Sequence, residues 1–408
     1  MSPVLPQELD ELILEFVIDD SIDLIIYETL TQCALVCRAW RPKSQAILFR
    51  KALFVEWESD VSTLYNYRRF LVEHPRFLPL IRRVEFAMPY CNLSLLYDIL
   101  AIRLPALQTI VINGRSASFK LHRFYTAPHV QMVNIANLEL TYVDIVDMAE
   151  FYHFILRFPN LSSLLIVDCY WINPDRHTTP RLRKDWKVPV ITHLSLAWAS
   201  ATEDELPKRE DIHVPMPSAI RLLLQALGAN LVYLQINLRT FEYLTSPRFG
   251  SDTHELLQAC PMPKLERLEI HLRGRVTDLD HLTERPYSAH IGRIPALLKA
   301  LVAVELRVLG IYLSRIEVRK SEELILDALE QIHGELATLI EGEHFPKLEK
   351  IRLDVGARPH THNWWNPHLA ERLPVLAGRG LLETVQFILR LHSRSGPFTD
   401  PPGHGPTD

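Results

Sequence analysis

Side chains with the types and spacing for metal chemistry fall in two places along this sequence. Cys33 and Cys37 are four residues apart and would share a helix face, but no neighbouring histidine pair completes a tetrahedral set of ligands. Thiols packed in a small helical core are the simpler expectation. His360, His362 and His368 form the densest imidazole cluster, yet no carboxylate or cysteine stands at ligand spacing beside them. An ordered loop is expected there, with Trp364 and Trp365 stacking on the body of the protein or meeting a partner. No glycine-rich phosphate loop, G-x-S-x-G elbow, H-E-x-x-H helix or kinase signature occurs in the chain. The expectation is therefore a protein without catalytic residues, metal or cofactor.

What remains is interaction chemistry, and that depends on which residues the fold presents. An apolar triplet at positions 0, +3 and +5 recurs ten times, with successive starts 23 to 42 residues apart. The first three are Ile81/Val84/Phe86, Leu107/Ile110/Ile112 and Val130/Val133/Ile135. Four cleaner ones begin at Leu161, Ile191, Leu231 and Leu265, and the last three at Leu306, Leu348 and Leu382. In an extended strand +3 and +5 lie on one face while 0 sits where the chain bends into it, so one face must be buried. Amphipathic stretches with helical spacing, such as Val143 to Phe158, Ser218 to Leu227 and Ser321 to Ile340, separate the triplets. Strand and helix alternate, and stacking such units lets each bury the apolar face it could not bury alone.

This pattern resembles the leucine-rich-repeat family in its long, irregular form. The resemblance implies an α/β solenoid, a parallel strand array with helices on its convex side, over residues 80–392. The asparagine or cysteine that this family places three residues beyond the last strand position is mostly replaced here, Cys169 being the exception. If +3 and +5 point inward, +2 and +4 point outward and form the exposed strand face. That face would carry Arg83 and Glu85, Thr109 and Val111, Met132 and Asn134 in its first three rungs, and Ser163 and Leu165 in the fourth. Its last three rungs would present Val308 and Gly310, Lys350 and Arg352, Thr384 and Gln386. Polar and aromatic groups gather in between. His193, Tyr233, Gln235, Arg267 and Glu269 are the candidate contacts for a protein substrate, against a bland alternative of solvated surface.

Composition limits the partners. The net charge is -5, with basic and acidic residues interspersed, so no field exists to hold nucleic acid. Five cysteines without CxxC spacing argue against a disulfide framework and for a reducing compartment. The first ten residues lack a basic signal region, and no run of eighteen apolar residues occurs. Cytoplasm or nucleus is expected, with no membrane contact. Long polar insertions at Asn173 to Val188 and Ala201 to Pro217 read as loops, and 393–408, rich in proline and glycine, as a disordered tail.

Residues 1–56 have a different texture. Leu5, Pro6 and Leu9 open a helix whose apolar stripe continues through Leu12, Ile13 and Phe16. A second helical segment runs from Leu30 through Leu35, Val36 and Trp40, and a third covers Ile47 to Leu53. Three short helices are too few to be comfortably stable alone. Leu5-Pro-x-Glu-Leu9 with Ile13, followed by Leu35-Val-Cys-Arg-x-Trp40 and Leu48-Phe49, resembles an F-box, of the variety abundant in mushroom-forming fungi. The segment from Asp20 to Thr31 is longer than the usual connection in that family. The resemblance implies docking on the Skp-type adaptor of a cullin-RING ubiquitin ligase, through Leu5, Pro6, Leu9, Ile13, Leu35, Val36 and Trp40, with a helical connector at 57–79. An alternative is that these apolar residues form only a cap for the first repeat of a non-catalytic scaffold.

Overall fold

A computed structural model describes residues 29–33, 35, 40–55, 61–87, 104–114, 119–120, 132–171, 188–197, 216–237, 257–258, 260–272, 291–313, 320–342, 344–354 and 362–384. The chain divides into two units, Ala52–Gln386 and Met1–Lys51 together with Phe387–Asp408.

The larger unit is α/β, and one sheet organises it. Its strands run β2 (Arg83–Ala87), β3 (Thr109–Asn113), β5 (Asn137–Thr141), β7 (Ser163–Val167), β9 (His193–Ala197), β10 (Tyr233–Asn237), β11 (Arg267–Leu272), β12 (Val308–Leu313), β13 (Lys350–Asp354) and β14 (Leu382–Thr384). Spatial order follows chain order, with β1 (Lys51–Val55) at the leading edge. Each of the ten pairs in parallel with the next, and the register is constant: Leu194, Leu234, Leu268 and Leu309 stand abreast. Constant register places equivalent positions of successive rungs in columns.

A repeated corner sets that register. The amide of the 0 residue donates to the carbonyl three residues earlier, as in Leu161 N to Phe158 O at 3.0 Å, Leu231 N to Gly228 O at 3.1 Å and Leu265 N to Met262 O at 3.0 Å. The next two amides then share one carbonyl of the preceding rung: Val232 and Tyr233 donate to Thr192 O at 2.8 and 3.0 Å, and Glu266 and Arg267 to Val232 O at 2.9 and 3.0 Å. Each rung is thus fixed before its strand begins. Beyond the corner the alternation is regular. Ser163–Val167 and Tyr233–Asn237 both bury +3 and +5 and leave +2 and +4 half-open.

Helices close the buried side. These are α2 (Val61–Glu73), α3 (Met148–Ile155), α4 (Met216–Leu227), α5 (Ile294–Ala300), α6 (Lys320–Glu341), α7 (His362–Arg372) and α8 (Pro374–Gly378). The apolar faces of α3 to α8 join the +3 and +5 side chains in one continuous core. A second, three-stranded parallel sheet of β4 (Phe119–Lys120), β6 (Val143–Ile145) and β8 (Tyr170–Trp171) follows the first rungs. The corners into β6 and β8 fall at the same offset and take left-handed backbone at Tyr142 (φ 54°) and Asp168 (φ 49°). Just past the second, Cys169 is fully buried, and burial pushes its thiol up to about 12.

Several expectations are corrected. The third rung is Ile135/Leu138/Leu140, not Val130/Val133/Ile135. Ile135 fits both spacings, but its amide closes the corner to Met132 O at 3.4 Å, and Ala136 and Asn137 donate to Gln108 O. Val133 is 54% exposed whereas Leu138 and Leu140 are at 0%, so Asn137 and Glu139, not Met132 and Asn134, occupy the outward positions. The last rung is shifted too: Leu382 stands opposite Ile351, and Glu383 opposite Arg352. Val143 begins a strand instead of a helix, and α4 begins at Met216, inside the expected loop. The histidine-rich segment is helical over His362–Arg372, because Trp365, Leu369 and Leu373 recur every four residues and are buried at 1% each. The 173–187 and 201–215 insertions and the 393–408 tail lie outside the described residues.

In the smaller unit, α1 (Trp40–Leu48) is described together with helical residues 29–33 and 35. Leu30 and Cys33 are buried, with Trp40, Ile47 and Leu48 packed against them.

Two predictions follow from these contacts. In urea denaturation, Leu138→Asp should cost the larger unit more than about 3 kcal/mol, while Val133→Asp should change stability by less than about 0.5 kcal/mol; the reverse ranking would restore the expected register. Separately, Glu150 in the first turn of α3 is 4% exposed. Burial is the main cause that lifts its carboxyl from 4.5 to about 7, although Val146 N donates to it at 2.5 Å. Its folded pKa is raised, so its contribution is complete below about pH 4.5 and lost as pH rises through about 7. Thermal melts should therefore show that Glu150→Gln removes part of the destabilisation that the native chain suffers between pH 5 and 8.

Candidate functional site: the outward strand face

The outward columns of the larger unit divide into two regions of different character. Over β10 to β12 the face is a closed polar cluster centred on Glu269, whose side chain is only 7% exposed. Its two oxygens take donors from three strands. Tyr233 Oη donates to Oε2 at 2.6 Å and Tyr312 Oη to Oε1 at 2.9 Å. Arg267 donates through Nε at 2.8 Å and through a second guanidinium nitrogen, and His271 Nε2 lies 3.2 Å from Oε2. Burial acts to raise the Glu269 pKa, but the His271 and Tyr233 hydrogen bonds and the Arg267 charge outweigh it and hold the carboxyl at about 2. The Tyr233 hydroxyl is pushed well above its ordinary range, first by burial and then by Glu269.

Ring contacts complete this cluster. His271 stacks on Tyr312 with centroids 4.2 Å apart, and the Arg267 guanidinium lies 5.6 Å from the centre of the Tyr233 ring. Gly310 makes the arrangement possible: a Cβ there would stand 2.6 Å from Tyr312 Cε2 and 3.2 Å from Glu269 Cγ. Glutamine joins the same network. Gln235 Oε1 accepts from Ser195 Oγ at 3.0 Å, and Gln235 Nε2 lies 3.1 Å from His271 Nε2.

Over β2 to β10 the face opens into a trough of about 380 Å³. At one end Arg83 grips Glu139 through two parallel hydrogen bonds of 2.7 and 2.9 Å. Because β3 lies between their strands, this pair spans the β3 rung, where Val111 is 4% exposed despite its outward position. At the other end His193 stands beside Tyr233, ring centroids 5.7 Å apart. Between them the lining is short and uncharged, with Thr109, Asn137, Ser163, Leu165 and Ser195. Asn137 Nδ2 donates to Thr109 Oγ1 at 3.2 Å.

The five candidate contacts thus meet in one region but serve differently. His193 is exposed, and Tyr233, Gln235 and Arg267 are half-buried, whereas Glu269 is enclosed by its own donors. Sequence reasoning missed His271 and Tyr312. Both stand at +6, and for His271 the signal was present, because polar and apolar residues keep alternating from Arg267 through Leu272, whereas Val308-Leu-Gly-Ile-Tyr-Leu313 carries no such alternation; both strands are six residues long. In the smaller unit Leu35 is 76% exposed and Trp40 is partly buried. Leu5, Pro6, Leu9, Ile13 and Val36 lie outside the described residues, as does His360. Among the described residues no group of three histidine, cysteine or acidic side chains could hold a metal, and no helix is long and apolar enough to cross a membrane. No protein-family model matches the chain, and no curated protein matches it.

Glu269 supplies a pH signature. Its folded pKa is depressed, so its stabilisation is present above about pH 4.5 and lost as pH falls towards about 2. Glu269→Gln should flatten the acid limb of the stability profile and cost about 1–3 kcal/mol at pH 7 by disturbing the buried donors; an unchanged acid limb in chemical denaturation would refute the network.

Proposed function

We propose that this chain is the substrate-recognition subunit of a Skp-cullin-F-box type ubiquitin ligase, its sheet being a leucine-rich-repeat array. Residues 1–56 dock on a Skp-type adaptor, and the outward strand face of the repeats holds a protein substrate. The activity is proximity, with the chemistry left to the ligase's ubiquitin-loading partner. The observation that carries the reading is the conjunction of Leu5-Pro-x-Glu-Leu9 with Leu35-Val-Cys-Arg-x-Trp40 ahead of a sequential parallel array.

The exposure of Leu35 supports it. Leu30 and Cys33 of the same segment are buried, whereas this leucine is 76% exposed and so is available to a partner. The charge-balanced, polar strand face supports a protein partner over a nucleic acid. A reducing compartment, cytoplasm or nucleus, agrees with buried free thiols at Cys33, Cys169 and Cys260. The second reading, a repeat scaffold capped by the amino-terminal helices and unconnected to degradation, explains the array equally well but gives no role to the Leu5-Pro-x-Glu-Leu9 and Leu35-Val-Cys-Arg-x-Trp40 conjunction.

Co-purification with a Skp-type adaptor distinguishes them. The intact chain should retain the adaptor, while Leu9→Asp and Leu35→Asp should each reduce retention at least tenfold with the circular dichroism and melting of the repeats unchanged. An intact, folded chain that retains no adaptor would leave the capped scaffold.

A further inference from the structure

The strand face is not uniformly available to a ligand. Every oxygen of Glu269 already has donors, and the arginine, tyrosines and histidine around it are held by that carboxylate. A ligand seated there would have to break a desolvated cluster and leave a buried charge short of partners, which costs several kcal/mol. The trough from Arg83 to Tyr233 is different. The floor groups Asn137, Ser163 and Ser195 are half-open, and Asn137 Oδ1 and the Ser163 hydroxyl can accept further hydrogen bonds.

Its shape and charge restrict the occupant. Five strand steps of about 4.8 Å carry it over about 24 Å, the length of about seven residues of extended chain. It is open along its solvent side, so it cannot enclose a small molecule as a ligand pocket does. A chain that gains contacts along its length suits it better. The guanidinium of Arg83 is shared between Glu139 and Glu85, the latter 3.9 Å away, so it has no positive charge to spare, and the floor between that end and His193 carries no ionisable group. A charged side chain in the trough would lose hydration and find no free counter-charge.

We propose that the trough over β2 to β10 binds an extended, uncharged peptide segment of a protein partner, rich in serine, threonine, asparagine, glutamine or glycine, laid across the strands. Ser163 and Ser195 form its floor, and the Arg83–Glu139 pair and the His193–Tyr233 pair bound its ends. The Glu269 cluster acts as a positioning device that fixes Tyr233 and Gln235 at the far end. The proposal rests on the receptor reading only in taking the ligand for a substrate; the trough itself needs no adaptor.

The test uses the full chain on an array of nonapeptides. In one set the interior positions are degenerate among serine, threonine, asparagine, glutamine and glycine. Three others carry two fixed aspartates, lysines or phosphoserines. The uncharged set should bind at least tenfold more chain than any charged set, and Ser163→Arg and Ser195→Arg, which fill the floor from outward positions, should abolish that binding with melting unchanged. Asn137→Asp, which introduces charge with little change of volume, should weaken it at least threefold. Equal or stronger binding to a charged set, binding that survives both arginine variants, or no binding to any set overturns the proposal. Adaptor co-purification is measured on the same samples. Adaptor retained without peptide binding removes the trough and leaves the receptor reading, and peptide binding without adaptor does the converse.

Discussion

One carbonyl accepting two amides from the next rung is the interaction on which the rest depends. At each step, from Arg82 through Gln108, Ala136, Ser162, Thr192, Val232, Glu266 and Arg307, the same offset supplies the acceptor. This fixes where each strand begins through the backbone alone. A slip of one residue would turn every +3 and +5 side chain to the solvent face, and a single buried leucine is worth about 1.5–3 kcal/mol. Corner and core therefore enforce each other. Spacings between rungs can vary as widely as they do because helices and insertions of any length return to the same corner.

Much of this was legible in the sequence because the period-2 alternation and the recurrent corner are local. The triplets at Leu161, Ile191, Leu231, Leu265 and Leu306 give the strands β7, β9, β10, β11 and β12 at the expected offset. Where the reading slipped, an apolar residue served two patterns. Ile135 ends one triplet and begins another, and the spacing alone does not separate them; the corner at Ile135 and the pairing of Asn137 with Thr109 do. Leu382 likewise satisfies the spacing as a corner residue, yet pairs as +3. The helical segment around Trp365 was hidden for the opposite reason: Asn363, Asn366 and Pro367 are turn formers, and tertiary burial of Trp365, Leu369 and Leu373 overrides their local preference.

The candidate site was legible by column but not by depth. Alternation shows that Tyr233, Gln235, Arg267 and Glu269 share a face, but whether a shared face is open depends on side chains reaching across strands distant in sequence. Tyr312 reaches Glu269 from 43 residues away, over a glycine that leaves it room. No local pattern encodes such a contact. Glu139 was missed altogether as an outward residue because the register of its rung was misassigned, and with it the pair that bounds the trough.

The charge arrangement follows from the register itself. Rungs about 4.8 Å apart stack equal offsets into columns, so like charges in one column would repel at close range. In this chain the +2 column is basic where charged, at Arg83, Arg267 and Lys350, while +4 is acidic through Glu85, Glu139 and Glu269 and turns basic only at Arg352. Pairing runs between columns for Arg83 with Glu139, Arg267 with Glu269 and Lys350 with Glu383, and within the +4 column where the basic Arg352 meets Glu383 directly opposite it. Charges so paired can sit half-buried without leaving an uncompensated ion, and they consume their own hydrogen-bonding capacity. The rungs from Ser163 to Ser195 carry no carboxylate, lysine or arginine in either column, so no ion pair closes the face over them. Where the ion pairs stop, the face opens, and the trough is what the column arithmetic leaves uncharged.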